Sequence, residues 1–471
     1  MYAAVISGGT VVTPDGARAA DIAIADGRIV RIADPGSAPD AERRIDASGL
    51  LVVPGGIDAH VHAAPMGLGA DEEADSTDGA ALMSRAALLG GTTTLIDFAR
   101  PSAGSLAAGL ERRIRHWRDA ACDHAFHILL RSDLDERQLD EIPTLVRAGH
   151  PSFKIFTTSG LPSRRSPLYV NTSAALAALT RIAAAGGILT VHGEDEDLVR
   201  AGYEAAEREG RTALSEMPVV RSALAEEVAF RRTITLARHV DGAAVYFMHV
   251  TGRDGVAAIT EARSRGQSVY GETLHNYLVF DASYYDRPDG PLYHTYPSLR
   301  STSHRDAIAD GLVLGDLSAV STDGALGSRA RKLEGRTLLD VRGGHAGVQA
   351  RLAVAYTELV EKRGVSVEAF VQRTATAPAR IFGLYPRKGA IVEGADADLV
   401  LLEPGRRTLR AAELIEADYS VWDGYEASVH PRVVLLRGIV AVEHGALTAQ
   451  SRGRLVGERR IDDAIRAGPA V

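Results

Sequence analysis

The sequence predicts an α/β protein, a (β/α)8 TIM barrel with a β-sandwich domain formed by both chain termini. Three observations point there. Eight short apolar runs alternate with Ala-rich or amphipathic, helix-like stretches across residues 54–385. The two ends of the chain share a strand-like alternation that the middle lacks. Four of the apolar runs end in metal-ligand residue types, and a fifth carries a lysine, at the strand ends where such a barrel builds its active site.

Taken in order, residues 1–53 read as short strands. YAAVISGGTVV, DIAIADGRIVRIA and RRIDASGLLVV alternate apolar and polar positions, with hairpin signals at Asp15–Gly16 and Asp26–Gly27. Eight barrel strands follow within 54–385: GIDAHVH (56–62), TTTLIDF (92–98), AFHILLR (125–131), SFKIFTT (152–158), GILTVH (187–192), AAVYFMH (243–249), QSVYGET (267–273) and LSAVSTD (317–323). Segments such as NTSAALAALTRIAAAG and SALAEEVAFRRTITLARHV supply helices between them. GADADLVLLEP and PRVVLLRGIVAVEHGAL, within 386–450, repeat the character of the N-terminus. Each end alone would leave an apolar face uncovered, so the two are expected to pair. Residues 451–471 read as a charged arm with no docking place legible in the sequence.

With 471 residues, 45% apolar and 24% charged, the chain can bury a large core. A net charge of −8 and the lack of a Lys/Arg-dense stripe argue against nucleic acid. No apolar run approaches the roughly 20 residues of a membrane helix, and the N-terminus has no signal-peptide pattern, so a cytoplasmic enzyme is expected. Cys122 is the only cysteine, which excludes an internal disulfide and a thiolate cage. Any metal must use nitrogen and oxygen ligands.

Those ligands are legible. The first run ends in His60-Val61-His62, and residues i and i+2 of a strand share a face, so both imidazoles can meet one ion. The fifth run ends at His192, the sixth at His249 and the eighth at Asp323, while the fourth carries Lys154. One strand-end histidine is usually a satisfied polar residue; the set is hard to assign to chance. The remaining histidines read as surface or packing residues, although His345 stands out in a Gly-rich loop. Lys154 needs its own account. An ammonium has no lone pair, and between Phe153, Ile155 and Phe156 it would be penalised as a cation. It either finds an acidic partner or reacts with CO2 to become a carbamate able to bridge two metals; the second is preferred, because Asp323 is the single carboxylate of the set.

PGGIDAHVH, GGTTTLIDF, SFKIFTTSG, TVHGEDED, FMHVTGRDG, GETLHNYL, YPSLR, VSTDGA and LYPRKGAIVEGADADLVLL together resemble the cyclic amidohydrolases of the amidohydrolase superfamily, nearest to dihydropyrimidinase and hydantoinase. The resemblance implies two divalent metal ions, zinc by family expectation. His60, His62 and Asp323 would hold one and His192 and His249 the other, with N6-carboxylated (carbamylated) Lys154 between them. A metal-bridging hydroxide would attack a ring carbonyl of a small-molecule cyclic amide, imide or ureide, and Asp323 would carry the proton to the leaving nitrogen. A homotetramer or homodimer is implied as well.

The pocket departs from this pattern. Where hydantoinases place a tyrosine five residues after the lysine, this chain has Ser159. Gly324 follows Asp323 where a histidine is usual, and RGGHAGVQ (342–349) is more like allantoinases. Backbone groups at Tyr296–Ser298 and at Gly343, Gly344 and His345 are expected to bind the substrate's amide edge, with Thr157, Thr158 and Ser159 as possible hydroxyl donors. Met66 and Leu68, in the loop after His62, hint at an apolar substituent. An allantoinase-like ring-opening enzyme is the alternative. A non-catalytic scaffold of the dihydropyrimidinase-related kind is a remote one, because all six ligand positions are intact.

Overall fold

The computed structural model describes residues 2–38, 40–65, 78–160, 168–449 and 451–470. Most of the loop after His62, with Met66 and Leu68, lies outside the described residues. Eight strands form the barrel: β1 (Gly56–Asp58), β2 (Thr92–Ala99), β3 (Asp123–Leu129), β4 (Ser152–Phe156), β5 (Ile188–His192), β6 (Ala244–Phe247), β7 (Ser268–Leu274) and β8 (Ala319–Ser321). They pair in sequence order, every pair parallel. Nearly every residue in them is buried. That explains their unbroken apolar runs, since a parallel sheet is covered on both faces. The helices that return the chain start on side-chain caps: Ser105, Asn171, Asp195 and Ser222 each accept a first-turn N–H, and Asp135 forms a full capping box with Gln138.

The ring closes above β1 and β8 rather than between them. The first run is not one strand; it breaks at Ala59–His60 and resumes as Val61–Pro65. The chain after Asp323 likewise resumes as Gly324–Leu326, and these two continuations pair in parallel, Gly324 opposite Val61 and Ala325 opposite His62. Below them Asp58 accepts hydrogen bonds from Thr322 N at 3.3 Å and Thr322 Oγ1 at 2.6 Å. His60, His62 and Asp323 therefore sit on the seam where the barrel shuts.

Among the described residues, nine strands from the two ends of the chain form one sheet. Leu51–Pro54 joins its halves, running antiparallel to Leu399–Leu402 on one side and parallel to Thr10–Val11 on the other. The sheet folds over on itself. Ile6, Ile22, Ile29, Val52, Leu401 and Leu435 share one buried cluster, and the Asp26–Gly27 hairpin tip docks through Gly27 O, which accepts from Ala397 N. This is the two-layered, two-ended domain that the alternating segments predict.

Residues 451–470 take a place the sequence did not disclose. Val456, Ile461 and Ile465 pack with Ile57, Ile96, Tyr246 and Tyr270 at the N-terminal floor of the barrel, opposite the ligand-bearing strand ends. Arg459 is buried there, its guanidinium donating to Phe126 O at 2.7 Å. At the joint between barrel and sandwich, Asp123, Asp396 and Asp398 cluster as a cation site would. Lys388 Nζ already occupies it, 2.7, 3.2 and 2.6 Å from the three carboxylates. No helix among the described residues is long and apolar enough to cross a membrane.

Candidate active site

His60, at the break between the two strand pieces, and His62, in the second piece, aim at the same atom. Their Nε2 nitrogens lie 3.1 and 3.0 Å from Asp323 Oδ1. The His249 ring is 5.3 Å from that of His60 and 4.5 Å from that of His192. The four imidazoles and the carboxylate thus form one cluster over the barrel axis. Lys154 enters it from β4. Its Nζ donates to Met248 Sδ at 2.7 Å and lies 4.8 Å from the centre of the Phe156 ring. Among the described residues no carboxylate pairs with it. Burial pushes its pKa down to about 7, against the pull of Asp323 and Glu272. Among the described residues, the acidic partner that would have made Lys154 an ordinary buried ion pair is not found.

A second layer decides which nitrogen each ring presents. Glu272, on β7, takes the Nδ1 side of His60 at 2.6 Å, which leaves Nε2 for a ligand. Glu272 is held in turn by Tyr246 OH at 2.8 Å and by Ser321 Oγ. Glu194 takes the Nε2 side of His192 at 2.7 Å, so there Nδ1 is the free nitrogen. Arg221 clamps Glu194 through Nε at 3.0 Å and through a second, shorter bond. Sequence reasoning missed both glutamates. The signal was present: Glu272 is an acid inside the apolar strand GETLH, and Glu194 follows the strand-end His192 by two residues in TVHGED, both fully buried. Their pairing with a histidine over a long separation was not.

The electrostatics suit cations. Burial opposes a charge on His60, yet Asp323 and Glu272 outweigh it and hold its pKa at about 9. Burial keeps His192 down at about 4 and His249 far below its ordinary value, so both are neutral donors. Asp323 is held well below the carboxylate range by the two imidazoles despite its burial. His249 and Asp323 also stand in the left-handed region, at φ 43° and 48°. Such a conformation costs a non-glycine residue roughly 1–3 kcal/mol and gathers at functional sites. Four imidazoles, a carboxylate and a lysine with no counter-ion among the described residues are a donor set that fits divalent metals of zinc type.

A family model described as the amidohydrolase family matches residues 51–440. The chain belongs to that family. Curated relatives of this amidohydrolase include a D-hydantoinase of Streptomyces coelicolor, 35% identical over 95% of this chain and 98% of the relative. A dihydropyrimidinase of Arabidopsis thaliana is 32% identical over 95% and 83% of the two chains. The crystal structure of dihydropyrimidinase from Brevibacillus agri superposes with a TM-score of 0.90 at 31% identity, covering 98% of this chain and 99% of that one.

On the pocket side the amidohydrolase shows where its own departures lead. The Ser159 hydroxyl donates to Glu196 Oε1 at 2.6 Å, and Thr158 Oγ1 to the other oxygen of Glu196 at 3.0 Å. Thr157 Oγ1 bonds the carbonyls of His192 and Glu194 at 3.1 and 2.8 Å. All three hydroxyls that sequence reasoning offered in place of the tyrosine are thus engaged within the protein. Gly324 has a packing reason: a Cβ there would lie 2.5 Å from Val348 Cγ2. Among the described residues Ser298 Oγ and His345 Nε2 are buried without a partner, and the Tyr296 hydroxyl donates to Val341 O at 3.1 Å. Gly344 offers its carbonyl to Lys332 at 2.8 Å. Of the other histidines, His116, His124, His127, His150, His275 and His294 are buried.

The orienting role of Glu272 is open to test. Glu272→Gln is expected to weaken divalent-metal binding by about 10- to 100-fold, the usual effect of removing the outer partner of a histidine that holds a metal. Chelator competition on the purified protein measures it, and an affinity within twofold of the native value would rule the role out.

Proposed function

We propose that this amidohydrolase opens the ring of a cyclic amide of hydantoin or dihydropyrimidine type, using His60, His62, Lys154, His192, His249 and Asp323 to hold two divalent cations, zinc by preference. The carrying observation is the buried Lys154, which stands amid four imidazoles and Asp323 and, among the described residues, has no carboxylate of its own. As a carbamate it would gain the anionic oxygens that the metal pair requires. In that reaction the Nζ lone pair attacks CO2, a C–N bond forms and a proton leaves. When bound, the cations polarise the ring carbonyl and make water acidic enough to act as nucleophile near neutral pH. The chain's own residues do the rest. Asp323, held by both histidines through Oδ1, accepts the proton of the attacking water and returns it to the ring nitrogen as the C–N bond breaks. Backbone groups of Tyr296–Ser298 and Gly343–His345 seat the amide edge.

A second reading, an allantoinase-like substrate, draws on the engaged Ser159 hydroxyl at the place of the hydantoinase tyrosine. One panel tests both. Zinc-loaded protein is incubated with hydantoin, dihydrouracil, allantoin, dihydroorotate and succinimide, and ring opening is followed in the ultraviolet. Hydantoin or dihydrouracil is expected to be opened fastest. Allantoin opened fastest transfers the assignment to the second reading, and no opening at all overturns both. A homodimer or homotetramer in the cytoplasm is the corresponding inference for its setting, checked by sedimentation.

A further inference from the structure

Lys332 ends a short helix, Arg329–Lys332, and is 1% exposed. Its Nζ donates to three main-chain carbonyls: His294 O at 3.0 Å, Arg342 O at 2.6 Å and Gly344 O at 2.8 Å. Among the described residues it has no carboxylate partner. An ammonium has three N–H groups, so all three are satisfied by peptide dipoles alone.

The three acceptors belong to two separate segments, and these carry Tyr296–Ser298 and Gly343–His345. The segments also touch directly. A Cβ on Gly343 would lie 2.2 Å from the Tyr296 ring, so only glycine lets the ring rest on that backbone. The peptides after His294, Arg342 and Gly344 are trans, because the cis bonds of the chain fall at Tyr296–Pro297 and Tyr385–Pro386. A trans peptide points its N–H opposite its carbonyl. With the carbonyls turned to Lys332, the N–H groups of Thr295 and Gly343 face away from it. Neither finds an acceptor among the described residues. A carbonyl that accepts from a cation also polarises its peptide, which makes the N–H on the far side a better donor.

We propose that Lys332 is a positioning residue of the substrate cradle: its ammonium locks the 294–298 and 342–345 segments together and turns the Gly343 N–H outward as a donor to the substrate's carbonyl edge. The proposal rests on the ring-opening reading above. It also gives the pocket a donor where the Ser159 hydroxyl is occupied.

The test uses zinc-loaded full-length protein and the substrate that the native enzyme opens fastest in the panel. Lys332→Met keeps the length and removes the charge. It is expected to keep its zinc content and lose about 10- to 100-fold in kcat/KM, the range a set of charge-assisted hydrogen bonds is worth. Lys332→Ala should lose as much and recover in part with ethylammonium chloride but not with equal sodium chloride, a response that a general packing defect would not give. Should Lys332→Met fail to fold by circular dichroism, Lys332→Arg carries the test. It keeps a cation but presents a planar fork to three converging carbonyls, and a loss of about tenfold at native zinc content is expected. Native zinc content with kcat/KM within twofold in the variant that folds overturns the proposal, as does the absence of any ethylammonium effect. A native enzyme that opens no ring would instead overturn the ring-opening reading, and the cradle with it.

Discussion

Lys154→Ala is expected to lose at least one of its two metal equivalents and to fall by about 1000-fold or more in kcat/KM. Losing metal stabilisation of the transition state removes several kcal/mol, and about 4 kcal/mol corresponds to three decades of rate. The environment of Lys154 explains why alanine should not be neutral. The side chain is buried against Phe98 and Phe156, and its one hydrogen bond among the described residues is to a thioether. A lysine kept in such a place purely for structure would be better replaced by an apolar residue, and the alanine protein would then fold with its metal intact. With its pKa near 7, much of the side chain is free amine at neutral pH and above, the form that attacks CO2. Propionate or acetate added to the alanine variant should restore part of the metal content, because a small carboxylate can stand where the proposed carbamate would stand. Metal analysis and turnover are read together; native values for both in Lys154→Ala would sink the carbamate assignment.

The second large effect is expected at Asp323. Asp323→Asn keeps the shape, and asparagine tolerates the left-handed φ of 48° at least as well as aspartate does. Unfolding is therefore not the expected outcome. What the variant lacks is a base and a charge. Proton transfer by a positioned group is typically worth about 100- to 10,000-fold, and kcat should fall within that range while the thermal midpoint stays close to native. A loss smaller than tenfold would mean that another group carries the proton.

How far the sequence discloses this molecule depends on the range of the interaction involved. The eight barrel strands are legible because each is a compact apolar run set off by turn residues, and the strand-end positions of His60, His62, His192, His249 and Asp323 follow from them. The seam is not legible. Nothing local in GIDAHVH says that it breaks at Ala59, or that Gly324–Leu326 will pair with the continuation beyond. The same holds for Glu272 beside His60 and for Glu194 between His192 and Arg221. Those acids were visible as letters; their function lies in contacts between strands far apart in the chain. Lys332 is harder still, because its partners are carbonyls, which every residue has. The C-terminal arm reads as charged with no docking place legible, and Val456, Ile461 and Ile465 carry it under the barrel with Arg459 following them in.

The strand Leu51–Pro54 also sets a timetable for synthesis. Its outer edge pairs with Leu399–Leu402, so a chain leaving the ribosome carries that edge open until the whole barrel has been made. At about 5–20 residues per second the wait is roughly 20–70 seconds. An edge strand left open is a template for a neighbouring chain. Nascent chains stalled before Leu399 should therefore be the species that aggregates or recruits chaperones, and release past Leu402 should mark the moment at which the protein becomes safe from its own copies.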